Sequence, residues 1–251
     1  MSLHRGSRED PFPDLGAGPG SARAAAIIDC VMPARNEAVT IEANVLAARG
    51  CRFVRSVIVV DDGSTDATGA LAEAAGARVL RREVSSGSKA LAMATGVAAC
   101  DAGGILFVDG DCTGLTSAHL DQLCEPFVEG VAAMSVGFFD YGWFWNPLVR
   151  RWPPISGERI LPRWVFEAIP EVKLQGYTIE LRINEVIAEH RLETTVRTMS
   201  GVSHRTKRDK LGFVVGMRRT VAMYRELLGV LRGDLRWRTY WFYLRGLSIR
   251  R

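Results

Sequence analysis

Between residues 26 and 139 the sequence alternates short, almost unbroken apolar runs with stretches of helical periodicity. The runs are "AAIIDCVMP", "VRSVIVVDD", "ARVLR", "GGILFVD" and "VAAMSVGFF"; helices are expected between them from Val39 to Ala48, Asp66 to Ala75, Lys89 to Ala99 and Ser117 to Val128. A strand with one wet face alternates polar and apolar residues, whereas a strand apolar throughout is covered on both faces. Such runs joined by helices build a parallel sheet wound on both sides, a doubly wound α/β domain. Beyond Phe139 the pattern loosens. "YGWFWNP" reads as an aromatic loop, "ISGERILPRWVFEAI" as a strand and turn leading into a helix, and Ile179 to His190 as an amphipathic helix, with mostly helical sequence to the end.

Ligands of an open parallel sheet lie outside the carboxyl ends of its strands. The polar residues that end the runs are therefore expected to converge: Arg35-Asn36-Glu37 after the first, Asp61-Asp62 after the second, and Asp109-Gly110-Asp111 after the fourth. Within "DDGSTD", Asp66 is placed to cap the following helix, and Asp61 or Asp62 can accept hydrogen bonds from a base or ribose. No strand is followed by G-x-G-x-x-G or by a P-loop, so neither a dinucleotide fold nor a P-loop enzyme is supported. An Asp-x-Asp at a strand end can instead hold a hard divalent cation, Mg2+ or Mn2+, that bridges the phosphates of a nucleotide diphosphate. Two carboxylates alone bind weakly. His204 in "GVSHRTK" is a candidate further ligand, against the commoner situation of a histidine on the surface or in the core. The window "DGDCT", completed by Thr113, also matches a phosphatase nucleophile loop. That chemistry needs a later acidic pair, and the downstream aspartates Asp121, Asp140, Asp209 and Asp234 each stand apart from any other carboxylate. Thr113 is then a turn residue.

With 47% hydrophobic residues in a chain of 251, there is material for one large core. The five cysteines form no C-x-x-C pair, which suits a reducing cytoplasm and neither zinc nor disulfides. No stretch approaches the ~18 uncharged residues that span a bilayer. The net charge of +4 is unevenly distributed: from Arg205 to Arg251 there are 13 Lys or Arg and three acidic residues, +10, which leaves −6 before them. Apolar residues at helical spacing (Val214, Met217, Val221, Tyr224, Leu228) alternate there with arginines. A helix of that kind can pack on the domain or on another subunit, giving a homodimer, or lie peripherally on the anionic inner face of a membrane. No nucleic-acid motif accompanies it, and an acidic crevice argues against nucleic acid as the partner.

The motifs "VMPARNEAVTI", "VIVVDDGSTDAT", "GSKALAMATG", "ILFVDGDC", "SGERIL", "GYTIELRINEV" and "VSHRTK", in that order, resemble those of GT-A-fold nucleotide-sugar glycosyltransferases. The group most similar is family 2, with the dolichol-phosphate sugar synthases and glucosyl-3-phosphoglycerate synthases. The resemblance covers roughly Ala26 to Lys210. It implies a mostly parallel sheet flanked by helices in residues 25–211; residues 1–24, rich in Gly, Pro, Ser and charge without apolar periodicity, read as a disordered leader, and 212–251 as a basic, aromatic helical extension. It further implies that Pro33, Ala34, Arg35, Asn36 and Glu37 line the nucleoside pocket with Asp61 and Asp62, and that Lys89 lies near the nucleotide phosphates. Asp109 and Gly110 would complete the nucleotide-sugar site, with Asp111 and His204 as metal ligands for Mn2+ or Mg2+. Glu180 is expected beside donor sugar and acceptor, as general base in an inverting enzyme or as an orienting group in a retaining one. The acceptor loop is expected to offer Gly157, Arg159 and Tyr177. Processive synthases carry Gln-x-x-Arg-Trp, but here Ile160 precedes Arg163-Trp164, so a single transfer is expected. Phosphoglycerate synthases carry Arg and Thr just after the acceptor-loop glycine. Here Glu158 follows Gly157 and the arginine is displaced to Arg159, which leaves open a small phosphorylated or a polyprenyl-phosphate acceptor.

Overall fold

Each of the five apolar runs forms a strand: β1 (Ile28–Ala34), β2 (Val54–Asp62), β3 (Arg78–Arg82), β4 (Gly104–Phe107) and, later in the chain, β6 (Met134–Phe139). The structure is a computed structural model that describes residues 28–139, 156–174, 179–205 and 247–250. The connecting helices are α1 (Ile41–Arg49), α2 (Thr68–Ala74), α3 (Lys89–Ala98) and α4 (Ser117–Val128), each within two residues of its sequence expectation. After β6 follow β7 (Arg159–Pro162), α5 (Arg163–Glu167), α6 (Ile179–Glu189), β8 (Thr194–Met199) and β10 (Leu247–Arg250). A separate ribbon pairs β5 (Cys112–Thr113) with β9 (Ser203–His204).

The main sheet has the order β10-β8-β6-β7-β4-β1-β2-β3. All pairings are parallel except those of β7, which runs antiparallel to both β4 and β6. The strand order reverses between β1 and β4, so the crevice of an open α/β sheet opens there. The single antiparallel strand has a second effect. It begins where its parallel neighbours end, so the residues just before Arg159 arrive beside the carboxyl end of β4.

Two cores explain the unbroken apolar runs. Ile28, Cys30 and Met32 of β1 pack with α1, α2 and α4 on one face, while Val31 packs with α3 and α6 on the other. The same division holds in β2, where Val57 and Val59 face one core and Ile58 and Val60 the other. Each side chain so enclosed contributes about 1.5–3 kcal/mol relative to an exposed one. Gly96 lets α3 lie close on the sheet, because a Cβ there would run into Val31 and come within 3.2 Å of Val60.

Two expectations change. "TTVRTM" forms β8, paired parallel to β6, although no strand was expected after Phe139 other than the one in "ISGERIL". The chain also does not stay helical to its end: residues 247–250 add β10 to the sheet edge by pairing with β8. The remainder of the 212–251 extension and the 1–24 leader lie outside the described residues, as does Tyr177. Among the described residues no helix is long and apolar enough to cross a membrane.

Candidate active site

The loop after β1 is built around Asn36, whose positive φ of 56° is a left-handed conformation that asparagine tolerates better than most residues. Its side-chain oxygen accepts from Thr65 N at 2.8 Å, and its own N–H donates to Ser64 Oγ at 3.0 Å. Pro33 and Ala34 close β1, Arg35 and Asn36 are exposed, and Glu37 is buried with its N–H donating to Thr68 Oγ1 at 2.8 Å. Asp66 does not cap α2 directly. It forms a local turn, accepting from Thr68 N at 3.0 Å and from Ala38 N at 3.3 Å, and so ties the loop after β2 to the loop after β1.

Of the adjacent pair at the end of β2, Asp61 accepts from Ser64 N at 2.9 Å and shapes the turn. Asp62 points the other way. It accepts from Ser85 Oγ (2.6 Å) and Ser86 N (2.8 Å) and faces Arg82 at 3.3 Å. Burial alone would raise its pKa, but these donors hold the carboxyl below its ordinary value. Both aspartates are nearly buried at the rim of the crevice.

At the end of β4 the backbone of Asp109-Gly110-Asp111 is held from beneath. Thr40 Oγ1 and Asn44 Nδ2 donate to Gly110 O at 2.8 and 3.0 Å, and Asn44 Nδ2 also donates to Cys112 O at 3.1 Å. The absence of a side chain at Gly110 permits this contact, since a Cβ would lie 3.2 Å from Ala34 and 3.3 Å from the Pro33 carbonyl oxygen. Above it, Lys89 at the start of α3 lies between two acids, 2.6 Å from Asp109 Oδ1 and 2.9 Å from Glu180 Oε1. Burial would discharge the ammonium, but the two carboxyl groups outweigh it and push the lysine pKa up. Asp109 is raised, by burial first and by its neighbours Glu158 and Asp111, with Lys89 opposing. Glu180, in the first turn of α6, is lowered because Lys89 and Arg159 overcome its burial. The two partners of one lysine are thus driven apart in acidity, which is the pattern of a site that assigns different roles to its acids.

The antiparallel start of β7 brings in a residue that was not expected at the site. Glu158 is fully buried beside the end of β4, accepting from Ser156 Oγ at 2.6 Å and Cys112 Sγ at 3.1 Å, with His204 Nε2 at 3.8 Å. Its signal in the sequence was an acid inside the apolar run "ISGERIL". His204 Nδ1 lies 3.0 Å from Asp111 Oδ1, and the ring stacks edge-on to Phe139 at 4.4 Å. Burial lowers the imidazole pKa, but the Asp111 hydrogen bond and the Glu158 and Asp109 carboxyls push it up to about 9. Two donor sets sit there, Asp111-Cys112-His204 and Asp109-Glu158-His204, each with donor atoms within 4.8 Å of one another. Oxygen and nitrogen donors so close, around a buried acid with no Lys or Arg partner among the described residues, fit a divalent cation.

Two of the residues expected in the acceptor loop lie beside Asp109 and Glu180. Gly157 packs against the Asp109 carboxylate, where a Cβ would come within 2.6 Å of Asp109 Cγ. Arg159 is fully buried and not at an open surface: Nε donates to Ser156 O at 2.9 Å, and Nη1 donates to Asn184 Oδ1 at 3.2 Å and Glu180 O at 3.4 Å. The pairing of β7 with β4 and β6 forces this guanidinium inward, under Glu180. Its Nε and Nη1 donors are thus engaged by Ser156, Asn184 and the Glu180 carbonyl.

A mostly parallel sheet with one inserted antiparallel strand, and an Asp-x-Asp at its switch point, defines a GT-A glycosyltransferase domain. The family model of glycosyl transferase family 2 matches residues 29–178, more than half of the sequence. The chain belongs to that family, and it is a nucleotide-sugar glycosyltransferase. Glucosyl-3-phosphoglycerate synthase from Mycobacterium tuberculosis in complex with Mg2+ and uridine diphosphate is similar, with TM-score 0.67 and 25% identity over 84% of this chain and 80% of that one. The same synthase with phosphoglyceric acid gives TM-score 0.63 and 26% identity over 81% and 80%. Its complex with Mn2+, UDP-glucose and phosphoglyceric acid gives 0.62 and 26% over the same shares, 81% and 80%. No curated protein sequence matches the chain.

Proposed function

We propose that the protein moves one sugar per encounter from a UDP- or GDP-linked donor to a small phosphorylated or polyprenyl-phosphate acceptor. The observation that carries this reading is the Lys89–Asp109–Glu180 cluster beside Asp111 and His204 at the switch point of the sheet. The loop 33–37 and Asp62 bind the nucleoside, Asp111 and His204 hold Mn2+ or Mg2+, and Lys89 supplies positive charge toward the phosphates. A bound divalent cation there neutralises charge developing on the departing nucleotide diphosphate. Glu180, kept ionised by Lys89 and Arg159, accepts the hydroxyl proton of a small phosphorylated acceptor as the new bond to the sugar carbon forms and the bond to the diphosphate breaks; a polyprenyl phosphate attacks through its phosphate oxygen and needs no base. In a retaining transfer the same carboxylate orients the sugar instead.

Phosphoglycerate as acceptor is supported by the names of the similar structures. A polyprenyl phosphate draws on the basic 205–251 segment and would place the enzyme at the cytoplasmic face of a membrane. Calorimetry of UDP and GDP with and without Mn2+ tests the reading, followed by sugar release onto phosphoglycerate or polyprenyl phosphate. One nucleotide should bind in a metal-dependent way, and Asp111→Ala should remove the metal dependence. Binding without turnover on any donor would favour a nucleotide- or membrane-binding module.

A further inference from the structure

The β5–β9 ribbon sets Cys112 directly opposite His204. Opposed side chains of an antiparallel pair leave the ribbon on the same face, so thiol and imidazole enter the crevice together. The neighbouring pair, Thr113 and Ser203, turns outward and closes on itself with a 2.7 Å hydroxyl contact. Cys112 Sγ lies 3.9 Å from His204 Nδ1, and Asp111 Oδ1 lies 3.0 Å from that same nitrogen. A tetrahedral centre with metal–sulfur and metal–nitrogen bonds of about 2.3 and 2.0 Å separates its donors by about 3.3–3.6 Å. The observed separations bracket that range.

We propose that this centre accepts a borderline-soft cation, Zn2+ or Co2+, through Cys112 Sγ together with His204 Nδ1 and an Asp111 oxygen. The inference rests on the cation site proposed above and adds a sulfur donor to it. Oxygen donors alone favour Mg2+ or Mn2+, whereas thiolate with imidazole shifts preference toward Zn2+ and Co2+. Formation of the metal–sulfur bond releases the thiol proton, which Glu158 already accepts in its 3.1 Å hydrogen bond with Sγ. The second imidazole nitrogen faces Glu158 at 3.8 Å, the arrangement in which a buried carboxylate fixes the orientation of a metal-bound histidine. Cys30, Cys51, Cys100 and Cys124 are buried and belong to neither donor set, so a sulfur signal reports on Cys112.

The test loads the metal-stripped full chain with Co2+ and follows the near-ultraviolet sulfur-to-cobalt charge-transfer band, with Mn2+ binding read separately by electron paramagnetic resonance. The band should saturate at one equivalent and vanish in both Cys112→Ser and Cys112→Ala. Zn2+ should displace Mn2+ from those variants on the order of tenfold less effectively than from the wild type. Mn2+ affinity itself should change by less than about threefold, because oxygen and nitrogen donors dominate its binding. Circular dichroism identifies which variant is folded, and either one suffices. A band that survives in the folded variant, or Zn2+ displacement that does not change, overturns the sulfur ligand. Failure of the wild type to bind Mn2+ at all overturns the underlying cation site instead, and the two failures are read by different signals.

Discussion

Substituting Gly157 by alanine displaces Asp109, the acid that pairs with Lys89 and also belongs to one of the cation donor sets. The φ of Gly157 lies outside the left-handed region, so the change introduces no backbone strain and acts through the added methyl alone. That methyl would sit 2.6 Å from both Cγ and Oδ1 of Asp109. An ordinary carbon contact lies at about 3.5 Å, so the carboxylate must retreat by roughly an ångström. Asp109 Oδ1 is the atom that lies 2.6 Å from Lys89 Nζ, so the retreat stretches or breaks that pair and leaves Lys89 on Glu180. A displacement of that size at a reacting centre costs on the order of a hundredfold in rate, while overpacking one methyl destabilises by about 1–3 kcal/mol. The assay is nucleotide release from whichever donor binds in the Mn2+ screen, with thermal unfolding in parallel. The expected result is a folded protein with turnover reduced about a hundredfold. In a Lys89→Met background the same substitution should cost far less, because the pair it disrupts is already absent. Wild-type turnover in Gly157→Ala, or full additivity with Lys89→Met, would refute the claim that Asp109 acts through its position against Lys89.

Asn44→Ala removes the donor shared by the Gly110 and Cys112 carbonyls; Gly110 keeps Thr40, so one buried carbonyl is orphaned and stability should fall by about 1–3 kcal/mol. Mn2+ affinity should fall with it, on the order of tenfold, because the backbone carrying Asp111 loosens; unchanged metal affinity in the folded variant would remove Asn44 from the site. Asp29 at the other end of β1 binds Arg55 Nη2 at 2.8 Å, Ser56 Oγ at 2.6 Å and the Asp101 and Ala102 N–H groups at 3.1 Å. Asp29→Ala should cost about 3 kcal/mol, the low end for a broken buried pair because Arg55 is half exposed, and leave turnover intact in the folded fraction. Burial works against ionisation of Asp29, but Ser56, Arg55 and the two amides lower its folded pKa beneath 3.8. Its stabilisation is therefore present above 3.8 and lost as the pH falls through the lower folded value, so Asp29→Asn should flatten the acid limb of the unfolding profile. His204 shifts the opposite way, from 6.5 to about 9. Its contribution to the metal-free fold is complete below pH 6.5 and lost as the pH rises through about 9, and Mn2+ binding near pH 7.5 should release close to one proton, measurable by calorimetry in buffers of different ionisation enthalpy.

The central sheet was legible because β1, β2 and β4 are enclosed on both faces, and enclosure writes an unbroken apolar run into the chain. The strand ends could then be read as the site, since the switch point follows from the topology. β8 was missed because "TTVRTM" contains an arginine and three threonines, a composition whose strand character depends on its neighbours β6 and β10. The β5–β9 ribbon was illegible for another reason: two paired residues on each strand carry no period. The resemblance placed Arg159 in the acceptor loop, but its burial could not be read from the motif, since arginine is mostly exposed. Only the antiparallel register of β7 turns it inward. The same register delivers Glu158, so the one strand that departs from the parallel pattern accounts both for the buried arginine and for the acid beside the end of β4.

Buried acids at the two ends of β1 and β4 differ in how completely the protein itself compensates them, and that difference separates support from function. At the amino end, Asp29 is met by a guanidinium, a hydroxyl and two backbone amides, a closed set with no room for a further ligand. At the carboxyl end, Asp109 and Glu180 share one lysine, while Asp111 and Glu158 both face one histidine. Such an arrangement keeps the fold intact without a ligand, because each acid has a cationic neighbour in Lys89, Arg159 or His204. In the function proposed above, the proton on His204 gives way to a divalent cation, and the hold of Lys89 on Asp109 gives way to phosphate oxygens, at little structural cost. A closed set such as that of Asp29 would have to be broken before it could bind anything.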